Sequence, residues 1–149
     1  MKVVGSRNRK VIYEPLYEPR IYRVRRLKCM RCNQIHHELP DLMVPYKRHS
    51  SALISEVIDG SSDEGLDPQQ EKRLHHWFNR HSEMFIGLTR RALKVDLGMS
   101  DFRESGPAMS KLDTLKSLFH YHHKWLAYLV RLLVNLRLWP QTRSVWLSS

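Results

Sequence analysis

The sequence predicts an α+β fold: a small N-terminal β-ribbon carrying a zinc knuckle, followed by a mainly α-helical, helix-turn-helix-like region. Three observations carry that prediction. Runs of β-branched and aromatic residues punctuate residues 1–28. Two thiols at knuckle spacing, Cys29-Met30-Arg31-Cys32, and the pair His36-His37 follow at once. From Ser50 onward the apolar residues recur at i, i+3, i+4 and i+7, the period of an amphipathic helix. The 149 residues suffice for one domain or two small ones. The change of pattern divides them into a ribbon-and-knuckle module over 1–49 and a helical region over 50–149.

Val3-Val4, Val11-Ile12-Tyr13 and Ile21-Tyr22-Arg23-Val24 read as strands, with Pro15 and Pro19 suiting an edge or a turn. Ile21, Arg23 and Arg25 alternate with Tyr22, Val24 and Arg26, so a two-stranded ribbon leads into the knuckle. Pro40 and Pro45 come too soon after the cysteines for a long helix. Residues 50–60 predict a short helix: Ser50 or Ser51 caps it, Leu53, Ile54, Val57 and Ile58 form its stripe, and Gly60 suits its end. A polar loop occupies 61–65. Asp67-Pro68 is a helix start, a capping side chain followed by Pro at the first helical position. Leu74, Trp77, Phe78, His81, Met84, Phe85 and Leu88 share one face of that helix. Gln69, Lys72, Arg73, His76, Asn79 and Arg80 share the other, and Gly98 ends the helix or its continuation. After a linker over 98–107, Ser110 caps a long C-terminal helix over 110–138, with Asp113 completing a variant capping box. Leu112, Leu115, Phe119, His122, Leu126, Leu129, Leu133 and Leu136 line one side, and Pro140 stops it. The tail over 142–149 is expected to dock through Val145 and Trp146.

The 25 Lys+Arg against 15 Asp+Glu give a net charge of +10, unevenly placed. Residues 1–49 hold 12 basic and 4 acidic side chains, whereas residues 50–149 hold 13 and 11. An N-terminal surface of this sign suits a polyanion, of which nucleic acid is the commonest. Two cysteines three positions apart cannot staple a fold of this size, so they read as a metal or redox pair. No secretory signal is expected, because residues 1–10 are basic and lack an apolar core. The apolar stretch 125–139 is interrupted by Arg131, Asn135 and Arg137 and is too short to span a bilayer. The expectation is a cytoplasmic protein with no membrane partner.

Thiolate and imidazole are the donors of a tetrahedral zinc site, which makes Cys29 and Cys32 candidate ligands with His36 and His37 to complete the set. His49 would have to fold back to join them. The same spacing also suits two buried thiols acting as small apolar residues, or a redox pair. Arg23, Arg25, Arg26, Lys28, Arg31, Lys47 and Arg48 surround the knuckle and are candidates for phosphate contact, with Tyr22 and Tyr46 as added donors. A solvated ribbon face would look alike. The segment 50–80 has the helices of a helix-turn-helix, with a longer connection than usual. Residues 67–80 would then be the recognition helix, offering Gln69, Gln70, Lys72, Arg73 and His76 to the major groove. An ordinary amphipathic helix with a wet polar face fits the same pattern.

The run RRLKCMRCNQIHHELPDLMVPYKRHS over 25–50 resembles a bacterial family of uncharacterised proteins, a domain of unknown function. That family is similar to the zinc-ribbon and helix-turn-helix front end of insertion-sequence transposases. GSRNRK over 5–10 resembles the family's run ahead of the ribbon, and KRLHHWFNR over 72–80 its tryptophan-bearing helix. VNLRLWPQTRSVWLS over 134–148 resembles its closing segment. The resemblance implies Cys29 and Cys32 as zinc ligands and 67–80 as the DNA-reading helix. It also implies a further CxxC ahead of the GSR run, which this sequence does not contain.

Enzyme chemistry finds little support. There is no Gly-rich phosphate loop, nucleophile elbow or HExxH. Asp41, Asp59, Asp63, Glu64, Asp96 and Asp101 are scattered, and His120, His122 and His123 read as solvated or core histidines. The expected function is therefore non-enzymatic DNA binding, associated with a mobile element, with DNA and a transposase subunit or a second copy as partners. The alternative is a structural or interaction protein, possible for a degenerate transposase fragment, pairing through its C-terminal leucine-rich helix.

Overall fold

Strand residues separated by two, not three or four, open the chain, and the architecture is the α+β arrangement expected. β1 (Lys2–Tyr13) and β2 (Glu18–Lys28) pair antiparallel, from Lys2 opposite Lys28 to Tyr13 opposite Glu18. A third, short strand β3 (Ile35–His37) joins the other edge of β2, giving the order β1-β2-β3. The expected two-stranded ribbon thus gains a strand from the returning arm of the knuckle. The register slips between Val3 and Gly5, and Gly5 takes φ +152° there, a conformation that side chains on L-residues resist. The computed structural model describes residues 1–13, 18–61, 66–97 and 109–139. Pro15, most of the 61–65 loop, the 98–107 linker with Gly98, Pro140 and the tail with Val145 and Trp146 lie outside them, as do Asp63, Glu64, Asp96's side chain and Asp101.

The alternation in β2 sorts its side chains as read: Ile21, Arg23 and Arg25 are exposed, while Tyr22, Val24 and Arg26 turn inward. Little of the sheet is apolar. Val11 and Val24 form a small cluster with Met43, flanked by Tyr22, Leu39 and Leu42. The segment after β3 therefore lies across this face. Ile12 N–H donates to Arg48 O at 2.6 Å, and Ser50 N–H donates back to Ile12 O at 2.9 Å. Arg9 Nη2 donates to Lys47 O at 3.2 Å and Val44 O at 3.5 Å. Val44 belongs to the main helical core, with Ile12 and Leu39 packed on it, so the ribbon and helices share one interior across residue 49.

α1 (Ser51–Asp59) starts where Ser50 Oγ accepts Leu53 N–H at 3.1 Å, and it ends at Gly60 with φ +72°. Leu53, Ile54, Val57 and Ile58 are buried, as the stripe predicts. α2 (Pro68–Leu97) begins as read, with Asp67 Oδ1 accepting Gln69 N–H at 3.2 Å. Its buried face runs through Leu74, Phe78, Ser82, Phe85, Thr89 and Ala92. Met84 was expected on that face but is 40% exposed, because the stripe passes through position 85 and its neighbour is rotated about 100° away. α2 is packed by all three other helices.

The long helix expected over 110–138 is two helices, α3 (Lys111–Leu118) and α4 (Trp125–Asn135). Ser110 caps α3 as read: its Oγ accepts Asp113 N–H at 3.0 Å and donates to the Asp113 carboxylate at 2.6 Å. The chain then turns through His120 (φ +53°) and Tyr121 (φ +54°), with Tyr121 N–H closing on Lys116 O at 2.8 Å. One helix over 110–138 would be about 43 Å long and would carry half its stripe past the core. Breaking it buries Leu115 and Leu118 on one limb and Trp125, Leu126, Leu129 and Leu133 on the other. Trp125 meets Phe78 edge-on, with ring centroids 6.1 Å apart. Lys116 reaches Asp59 at 3.1 Å and Lys111 reaches Glu83 at 2.8 Å, fixing α3 against its neighbours. The leucines read as a partner interface are thus mostly interior to this chain. Among the described residues, no helix is long and apolar enough to cross a membrane.

The corner makes a signed prediction. His120→Gly relieves a left-handed residue and is expected to raise unfolding free energy by roughly 0.5–1 kcal/mol. In a continuous helix the same change would lower it by about 1 kcal/mol. Denaturant unfolding of the two proteins decides the sign.

Candidate metal centre

β2 ends at Lys28 and the chain reverses over Met30–Cys32 to return as β3. Cys29 N–H donates to Gln34 O at 2.9 Å across the base of the reversal. Asn33 holds φ +56°, a left-handed geometry that Asn tolerates better than most residues. β3 then places Leu27 opposite His36 and Arg26 opposite His37. Successive strand residues point to opposite faces, so His36 and His37 separate.

The result is a three-donor group. Ligand atoms of Cys29, Cys32 and His36 all lie within 4.8 Å of one another, close enough to hold a metal ion. Cys32 Sγ is 3.3 Å from His36 Nε2. Both cysteines are free thiols, Cys29 buried and Cys32 exposed. The backbone N–H groups of Cys32 and Arg31 donate to the Cys29 sulfur, and the Cys32 side chain adds to them, bringing the Cys29 pKa down to about 7. Arg137, just beyond α4, acts in the same direction. A sulfur ionised this readily is prepared for a cation.

His37 and His49, both named as completing donors, stand elsewhere. His37 is half-buried on the other sheet face; burial first, then Arg7, Arg26 and Arg9, hold its pKa below the ordinary value. His49 is half-buried in the seam between ribbon and helices, its Nε2 hydrogen-bonded to Gln70 Oε1 at 3.1 Å. Burial lowers its pKa, against the Gln70 bond, and Lys47 and Arg48 add to the lowering.

The basic residues divide between two faces and a turn. Arg23 and Arg25 point outward, and Arg25 holds Glu38 in a two-pronged ion pair at 2.5 and 2.6 Å. Arg26 and Lys28 lie half-buried on the side of the seam. Arg31 and Arg48 are exposed, whereas Lys47 is half-buried with Nζ 4.5 Å from the Trp77 ring centre. On α2, Gln69, Lys72, Arg73 and His76 are exposed along one flank, joined by Arg80. Gln70 leaves that set, since its side chain is engaged by His49. Arg7 and Arg9 pair with Val24 and Tyr22 and so share the sheet face of Arg26; the alternation Ser6-Arg7-Asn8-Arg9 is the sequence signal that puts both on one face.

A family model described as a domain of unknown function (DUF6431) matches residues 1–77. That stretch holds the sheet, the three-donor group, α1 and the start of α2 through Trp77. The resemblance of the closing segment over 134–148 lies beyond it. No curated protein and no solved structure matches the chain.

Two outcomes follow from this geometry. Cobalt(II) titrated into metal-free protein develops thiolate charge-transfer absorption; His36→Ala is expected to weaken uptake at least about tenfold, and His37→Ala to leave it unchanged. Because folding depresses the His49 pKa, the unfolded chain takes up this proton first as pH falls through its ordinary value of 6.5, and stability is lost there. Denaturant midpoints measured from about pH 7.5 down to about pH 5.5 should fall further in the wild type than in His49→Gln.

Proposed function

The chain belongs to the family of the domain of unknown function DUF6431, and we propose that it is a non-enzymatic DNA-binding protein organised around a zinc knuckle. The observation that carries the zinc part is the donor set. Tetrahedral zinc with Zn–S near ~2.3 Å and Zn–N near ~2.0 Å sets a sulfur and a nitrogen about 3.5 Å apart. Cys32 Sγ and His36 Nε2 stand at 3.3 Å, and two thiols with one imidazole are soft enough donors to favour zinc over magnesium or calcium. Three protein donors leave the fourth position of such an ion for water or another ligand. Bound there, zinc supplies a cross-link between the end of β2 and the start of β3.

The DNA part is supported by the distribution of charge. Residues 1–49 hold 12 basic and 4 acidic side chains, and the sheet within that stretch makes few apolar contacts. The exposed flank of α2 adds Gln69, Lys72, Arg73, His76 and Arg80 at helical spacing. In this reading Arg23, Arg31 and Arg48 contact phosphates, and α2 supplies the groove-facing side chains. Association with a transposase at the ends of a mobile element extends the reading by analogy alone.

Fluorescence anisotropy with a labelled duplex tests it. Binding through about six phosphates falls roughly 10³-fold between about 50 and about 200 mM salt, and Arg23→Gln/Arg48→Gln lowers the log–log slope by about 2. No binding at low salt, or binding indifferent to salt, contradicts the proposal.

A further inference from the structure

The inner face of the sheet carries a concentration of cationic groups that neither the knuckle nor α2 uses. Register assembles it. Arg7 lies opposite Val24 and Arg9 opposite Tyr22, while Arg26 is placed between Gly5 on one side and His37 on the other. Side chains at these paired positions share one sheet face, so Arg7, Arg9 and Arg26 form a diagonal row along it, with Arg26 directly across from His37. Gly5 leaves room beside Arg26, since a Cβ built there would meet nothing within 4 Å.

The turn over 44–47 forms the wall. Lys47 N–H donates to Val44 O at 3.1 Å, Pro45 occupies the second position, and Tyr46 takes φ +65° at the third. That third position ordinarily requires Gly or Asn, so an aromatic residue there is strained. Arg9 Nη2 donates to the carbonyls on either side of this turn, Val44 O and Lys47 O, which sets Tyr46 at the edge of the arginine row. Burial raises the Tyr46 pKa, so the phenol keeps its proton and remains a donor. Arg9 is anchored behind, through Val44 O and Lys47 O. The neighbouring carboxylates are engaged elsewhere: Glu38 by Arg25 and Asp41 by Arg131.

We propose that this corner is an oxyanion site for a phosphate group, held by Arg7, Arg26 and the Tyr46 hydroxyl, with Arg9 fixing the wall behind them. Guanidinium forks and a phenolic O–H match the oxygens of phosphate. Arg7 and Tyr46 are exposed and Arg9 and Arg26 half-buried, so an anion reaches the row from solvent while the wall behind it is fixed. The phosphate comes either from a nucleic-acid backbone or from free phosphate. The site stands whether or not the duplex reading does.

Inorganic phosphate is titrated into the full chain by calorimetry against chloride at equal ionic strength, and the same proteins are then tested on the duplex. Wild type is expected to bind phosphate above the chloride background, and Arg7→Gln/Arg26→Gln to bind it at least about tenfold more weakly, with unfolding midpoint unchanged. Tyr46→Phe, which keeps the ring and removes only the hydroxyl, should weaken binding several-fold and serves if the double variant does not fold. A duplex salt slope lowered by about 2 in the double variant assigns the site to the nucleic-acid backbone. An unchanged slope with phosphate binding lost assigns it to free phosphate. Phosphate binding with no duplex binding removes the duplex reading and keeps this one. Wild-type protein that does not distinguish phosphate from chloride, or variants that bind phosphate as wild type does, overturns it.

Discussion

A β-hairpin this basic cannot bury enough of itself to be stable, and the rest of the structure answers that shortage. Among the described residues of β1 and β2, only Val11 and Val24 are buried. An isolated two-stranded hairpin is marginal even with a good apolar face. Order in this one comes from its surroundings. The segment after β3 crosses the inner face, exchanging backbone hydrogen bonds with Ile12 and capping α1 through Ser50. At the far end, Cys29, Cys32 and His36 converge where the chain reverses. The hairpin is held by a seam across its face and a knuckle at its open end, where β2 leaves Lys28 opposite Lys2.

That arrangement also distributes charge. Because apolar side chains are not needed along most of the hairpin, arginines can occupy both faces, and strand parity decides what each can do. Arg25 is drawn to Glu38 on the outside, while Arg7, Arg9 and Arg26 share the inner face, Arg9 held by the carbonyls of the turn over 44–47. The helices contribute the large core instead: Leu53, Phe85, Trp125, Leu129 and Leu133 are fully buried. Aromatic contacts extend that core to Trp139, whose ring centre lies 5.3 Å from that of Phe85. Lys47 over Trp77 and the ion pair between Arg131 and Asp41 tie the seam to this body from either side.

Features set by neighbouring residues were legible in the sequence. The Ser50 and Ser110 caps, the Asp67-Pro68 start, the Gly60 stop and the α1 stripe each depend on side chains a few positions apart. The Cys29–Cys32 pair was legible for the same reason. What needed the fold was distant pairing. Leucine spacing stays in phase through His122, so periodicity alone predicts one helix over 110–138; the turn at His120 and Tyr121 exists because Trp125 must meet Phe78. The choice of His36 over His37 rests on a three-residue strand whose register against β2 no local pattern announces. Gln70 reads as a groove residue until His49, far back in the chain, takes its side chain.

If the knuckle is one of the two clamps on the hairpin, metal should govern the hairpin's order and leave the helical core alone. Hydrogen exchange read amide by amide, on metal-loaded protein and after chelation, measures this directly. The account predicts exchange at least about tenfold faster after chelation in residues 24–28 and 2–7, with amides of residues 129–133 unchanged. Equal protection of the hairpin with and without metal would contradict it.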